Sequence, residues 1–168
     1  MGRRTSIIFI FLLAVLFSCK KEIKEEPIEK KEEIKEEKKF KTYVIYYIDK
    51  ESGLESPKTI TLEEKENEIE DLKNLLQNYF SQKGNLLFPE GTNLRAIYPL
   101  NKNLVVDIYI PDGSPPLQST GEEIEFVKAL AKTVCLNFQR YKGINVLING
   151  SDENKFINHI ALYVSYKP

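Results

Sequence analysis

One histidine and two cysteines bound the nucleophilic and metal chemistry open to this 168-residue chain. His159 stands alone, so paired-histidine zinc sites and the H-E-x-x-H arrangement are out of reach. A Ser–His–Asp triad would have to use His159, yet no G-x-S-x-G turn exists to present the serine. Cys135 and His159 could in principle form a nucleophile–base pair. Cys135, however, falls beside the apolar stripe of a long helical pattern, where burial disfavours a thiolate. Asp107, Glu122 and Glu123 are the carboxylates from which a glycan-cleaving pair could be drawn. Each has a plainer expected role: Asp107, inside an apolar strand pattern, faces solvent or bonds a nearby turn N–H, and the Glu pair caps a helix. No glycine-rich phosphate loop is present. The expectation is a chain with no catalytic residue, no cofactor and no metal site.

Cys19 carries the more specific chemistry. Arg3 and Arg4 form a positive start, and Ile7 to Phe17 is apolar throughout. This is the layout of a secretory signal, and the run falls short of the ~20 residues that span ~30 Å of hydrocarbon. Leu16-Phe17-Ser18-Cys19 resembles the lipobox of bacterial lipoproteins, with Phe17 larger than the usual residue there. The resemblance implies cleavage before Cys19, lipidation of its sulfur, and a membrane partner reached through that anchor. Lys20, which is not Asp, points to an outer-membrane location facing the periplasm if the host has two membranes.

Composition sets the remaining frame. Residues 1–18 read as signal peptide and 19–41 as a lipidated Cys followed by a spacer. Of residues 20–41, 17 of 22 are Lys or Glu, too polar to offset ordering entropy, so a disordered linker is expected. Residues 42–168 are left as one folding unit, with 13 Lys/Arg against 17 Asp/Glu. That balance leaves no basic stripe for nucleic acid.

The elements that must position these residues follow from periodicity. Thr42–Ile48 is apolar or aromatic after its first residue, as a covered strand would be. Lys58–Leu62 suits a short strand. Ile69, Leu72, Leu76 and Phe80 recur at helical spacing, with Thr61 and Glu64 as an expected capping box. Glu63, Glu64, Glu66, Glu68 and Glu70 read as a solvated face. Leu94–Leu100 and Leu104–Ile110 form strands around an Asn101-Lys102-Asn103 turn. Thr120 with Glu123 is an expected second capping box, opening a helix whose stripe is Ile124, Val127, Ala131, Val134 and Phe138. Ile144–Ile148 is a strand stopped at Asn149-Gly150, and His159–Tyr166 alternates as a last strand. The fold class expected is α+β: a mixed or antiparallel sheet with two helices packed on one face.

The order and residues resemble the GerMN domain of the sporulation and spore-germination family over about residues 43–166. The matching stretches are YVIYYID, PEGTNLRAIYPL, the Val106-Asp107 pair, Gly121-Glu122-Glu123, Leu130–Thr133, and INVLING with His159-Ile160. Asn149 stands where the family's pattern has Asp, and Asn158 where it has Gly. The resemblance implies a compact α+β domain, often on envelope lipoproteins, with no catalytic residue to carry over. The expected function is a lipid-anchored, non-enzymatic envelope module that contacts a protein partner. The alternative is a lipoprotein binding peptidoglycan or a small ligand in a pocket lined by Tyr98 and Tyr109. A cell-wall hydrolase using Asp107 and Glu122 is a third reading.

Overall fold

The computed structural model describes residues 38–168, and Cys19, the signal segment and most of the expected spacer lie outside the described residues. The chain runs β1 (Phe40–Ile48), β2 (Glu55–Glu63), α1 (Glu68–Phe80), β3 (Asn93–Leu100), β4 (Asn103–Tyr109), α2 (Thr120–Asn137) and β5 (Gly143–Ile148). It is an α+β fold. The strands form two sheets where one was expected: an antiparallel β1–β2 hairpin, and a three-stranded sheet in the order β3-β4-β5. β3 and β4 are antiparallel, whereas β4 and β5 are parallel, because α2 carries the chain back across the sheet.

The edge of β1 that does not face β2 is covered by a helix. Thr133 and Asn137 sit four residues apart on α2 and so project from one face. Asn137 accepts from Val44 N (3.0 Å) and donates to Val44 O (2.6 Å). Thr133 Oγ accepts from Tyr46 N at 2.9 Å and approaches Tyr46 O at 3.4 Å. Two side chains thereby do for β1 what a neighbouring strand's backbone would do.

Alternation fixes the core. Leu104, Val106 and Ile108 of β4, with Ile144, Val146 and Ile148 of β5, are wholly buried on one sheet face. α1 contributes Leu72, Leu75 and Leu76, and α2 Val127, Leu130 and Val134, to the same continuous cluster. Each such aliphatic side chain contributes about 1.5–3 kcal/mol on burial. Phe80, Phe88, Phe126 and Phe156 continue it as edge-to-face rings 5.4–6.3 Å apart, a geometry aromatic quadrupoles favour.

Several local expectations are corrected. β1 begins at Phe40, two residues before the expected boundary at 42. β2 runs through Lys58–Leu62 to Glu63, so Thr61 is a strand residue paired with Thr42 and caps nothing. The α1 cap is Asn67, whose side-chain oxygen accepts from Ile69 N and Glu70 N. On α2 the capping pair is Ser119 and Glu122, one residue earlier than expected: Ser119 Oγ accepts from Glu122 N, and Glu122 accepts from Gln118 N. The last expected strand, His159–Tyr166, is irregular and pairs with β5 only at Ile144–Tyr166. The reason is local. The N–H groups of residues 158–160 are drawn to a side chain and not to a strand.

Candidate functional site

That side chain is Glu123. The one-residue shift of the helix cap places it at the fourth helical position, fully buried. Its carboxylate accepts from the backbone N–H of Asn158 (2.8 Å), His159 (2.9 Å) and Ile160 (3.0 Å). The His159 ring Nδ1 lies 2.8 Å from the same group. A buried carboxylate without partners would cost several kcal/mol, and here three successive N–H groups and a ring surround it. Glu123 and His159 are therefore brought together, and their geometry is that of a staple. The staple pins the segment after β5 to the start of α2.

Asp107 is spent in the same way. It lies on β4, almost wholly buried, and accepts from Gly150 N at 3.0 Å. Arg95, at the bulge in β3, stands 3.6 Å from its other oxygen. Of the two roles expected, facing solvent or bonding a turn N–H, the turn bond is found and the solvent-facing one is not. Asn149 takes left-handed backbone geometry (φ 54°) and exchanges two hydrogen bonds with Ile110 through its side chain. Gly150 has φ 84°, and a β-carbon there would come within 3.0 Å of Arg95 Nη1. Glu122 is occupied at Gln118 N. Each of the three carboxylates considered for glycan cleavage thus already holds a backbone donor.

Cys135 is buried on α2, and burial pushes its thiol up, with Lys142 a smaller opposing influence. It lies twelve residues beyond Glu123 on one helix, about 18 Å along the axis, so the histidine held at Glu123 is far from the thiol. The structure does not bring Cys135 and His159 together as a pair.

Tyr98 and Tyr109 are exposed on the strands and line neither of two clefts among the described residues. One cleft, of 430 Å³, lies around the residues after α1, including Phe80, Gly84, Phe88 and Gly91. The other, of 370 Å³, was not anticipated. It is bounded by Lys41 and Tyr43 of β1, Glu64 and Lys65, the start of α1, and Asn137-Phe138. Asp71 forms its floor, buried, with Lys41 Nζ at 2.8 Å and Lys65 N at 2.7 Å. Burial alone would raise the Asp71 carboxyl, but Lys41, the Lys65 N–H and Tyr43 outweigh it and hold it below the usual carboxylate range. Burial and the nearby Asp71 push the Tyr43 phenol up to about 12. The Tyr43 hydroxyl stands near Asp71 without forming a well-aligned hydrogen bond. The glutamates expected as a solvated face, Glu63, Glu64, Glu66, Glu68 and Glu70, are none of them buried, whereas Asp71, the next carboxylate after them, is. The available signal was its place directly before Leu72, on the apolar side of the stripe.

Among the described residues no group of three His, Cys, Asp or Glu side chains could hold a metal ion. No helix among them is long and apolar enough to cross a membrane.

No family model matches the chain, and no curated protein matches it. Solved structures with folds similar to it include the following three. The first GerMN domain of the sporulation protein GerM from Bacillus subtilis is 13% identical, with TM-score 0.48, over 76% of this chain and 97% of that one. The tandem GerMN domains of the same protein give 16% identity and TM-score 0.49, over 77% of this chain. This chain spans 45% of that tandem. A candidate lipoprotein from Clostridium perfringens is 16% identical, with TM-score 0.47, over 76% of this chain and 87% of that one. Similarity at this level concerns the fold and carries nothing about activity.

Proposed function

We propose that the protein is a membrane-anchored envelope lipoprotein whose domain works by contact with another protein and not by catalysis. The observation that supports this reading is the use made of its buried polar groups. Apart from tyrosines, the buried polar or charged side chains among the described residues are Asp71, Thr92, Asp107, Glu123 and Thr133. Asp71 holds Lys65 N, Thr92 holds Pro89 O, Asp107 holds Gly150 N, Glu123 holds residues 158–160, and Thr133 holds Tyr46. A catalytic group keeps a lone pair or proton free for substrate. These five are committed to the backbone. The anchor rests on the Leu16-Phe17-Ser18-Cys19 layout and the charged stretch after it.

The test has two arms. Mass spectrometry of the protein from the membrane fraction should find the chain beginning at a lipid-modified Cys19, and a membrane-bound chain with an unmodified Cys19 would refute the anchor. Cross-linking in intact cells followed by mass spectrometry should recover a defined envelope protein through the wild-type domain. Turnover of cell-wall fragments by the purified protein, abolished by Asp107→Asn or Glu122→Gln, would refute the non-enzymatic reading.

A further inference from the structure

Three segments converge at one end of the three-stranded sheet: the turn between β3 and β4, the entry to β5, and the chain around Tyr166. Lys142 N donates to Lys102 O at 2.6 Å, which joins the first two. Ile144 exchanges backbone hydrogen bonds with Tyr166, and Asn145 Nδ2 donates to Tyr163 O, which joins the third. Lys102, Lys142 and Lys167 are all exposed there, and among the described residues none has a carboxylate within salt-bridge distance.

The charge of this end differs from that of the domain. Residues 98–105, 141–146 and 161–168 contain no Asp or Glu, although residues 42–168 carry four more acidic than basic side chains, 17 against 13. The boundary falls at Arg140, which is paired with Glu68 at 3.3 Å. Glu68 itself lines the cleft over Asp71, on the side of α1 and β1.

Two of these segments also carry exposed apolar side chains. Tyr163 is 74% exposed, Leu100 54%, Tyr98 53% and Val164 40%. Lysines interleaved with exposed tyrosine and aliphatic tips suit an interface whose outer layer is anionic and whose inner layer is apolar.

We infer that this lysine–tyrosine tip is a docking surface for an anionic phospholipid bilayer. The lysines are drawn to headgroup phosphates, while Tyr98, Leu100, Tyr163 and Val164 rest at the headgroup level. The inference goes beyond the anchored-lipoprotein reading and does not depend on Cys19. An anchor confines the domain near a membrane, whereas the tip fixes which way it faces. Each neutralised lysine should weaken the contact about fivefold at low salt, and screening should weaken it further.

The test is a lysine-acetylation footprint of the full chain, read residue by residue by mass spectrometry. It is run with vesicles of phosphatidylcholine alone and with vesicles containing about one third phosphatidylglycerol. Lys102, Lys142 and Lys167 should be protected by the phosphatidylglycerol vesicles only, and the protection should fade in high salt. Lys73, Lys128 and Lys155 elsewhere on the domain serve as references. The Leu100→Ser/Tyr163→Ser variant keeps all three lysines and changes only exposed positions, so it should fold normally and lose the protection. Equal protection by both vesicle types would overturn the inference. So would no protection while the chain floats with vesicles, a result that leaves the anchor intact. Protection without stable flotation would uphold the tip and refute the anchor. Protection seen only on intact cells would assign the surface to an acidic protein and overturn the lipid assignment.

Discussion

Asn137→Ala tests the idea that a helix stands in for a strand at the β1 edge. The substitution removes the acceptor for Val44 N and the donor to Val44 O. Each hydrogen bond contributes about 0.5–1.5 kcal/mol net, and both groups are partly buried, so water replaces the lost partner poorly. The internal bond from Asn137 Nδ2 to Thr133 O is lost as well, although that carbonyl is already served by the helix. The expected destabilisation is about 2 kcal/mol, near 6–10 °C in melting temperature for a domain of this size. Urea denaturation followed by circular dichroism reads it directly, with Leu136→Ala, an exposed neighbour, as the control. Asn137→Asp separates the two bonds. It keeps an acceptor for Val44 N but sets a carboxylate against Val44 O, at a helix end already negative. It should cost at least as much as alanine. Either variant shifting stability by less than about 0.5 kcal/mol would refute the edge argument. A second consequence is association: with β1 uncapped, the hairpin offers a free edge, and light scattering should detect larger species at high concentration.

Glu123→Gln should cost about 3 kcal/mol or more, because an amide cannot accept from three N–H groups and a ring at once. His159→Ala, which leaves the backbone donors in place, should cost about 1 kcal/mol; equal costs in denaturant titrations would refute the staple. Asp71 titrates below its ordinary value, so its stabilisation is present above the unfolded value of 3.8 and is lost as the pH falls below it. Asp71→Asn should therefore flatten the acid limb of stability below about pH 5, and an unchanged slope would show that Lys41 does not hold the carboxyl down. Cys135 should react with Ellman's reagent only on the timescale of unfolding, and rapid reaction in the native protein would contradict its burial.

Much of this architecture was legible in the sequence because periodicity reports burial. The α2 stripe, the β4 and β5 runs and the Asn149-Gly150 turn are local patterns with one physical reading each. What was not legible depended on distant partners. Thr120-Gly-Glu-Glu123 and Ser119-Thr-Gly-Glu122 both fit the capping pattern, and only the arrival of residues 158–160 decides which glutamate is buried. His159–Tyr166 alternates as a strand should, yet its N–H groups are claimed by a carboxylate more than thirty residues earlier. Thr133 and Asn137 look like ordinary helix residues until β1 lies beside them. The site readings failed or held on the same ground. The Asp107 turn bond was legible because its partner sits at a recognisable turn, although its burial was not, whereas the Tyr98 and Tyr109 pocket needed a concavity that no local pattern encodes.

The Glu123 staple also has a bearing on time. A chain emerging from its N-terminus has β1, β2, α1, β3, β4 and α2 available well before residue 158 appears. Until that residue arrives, packing α2 would strand an unpaired carboxylate in the core, at a cost comparable to a large part of a domain's net stability. β1 must likewise wait some ninety residues for the helix that completes its edge. Such long loops are closed late and slowly. The domain is therefore built to stay open while it is being made and to close in one cooperative step once the segment around His159 is in reach.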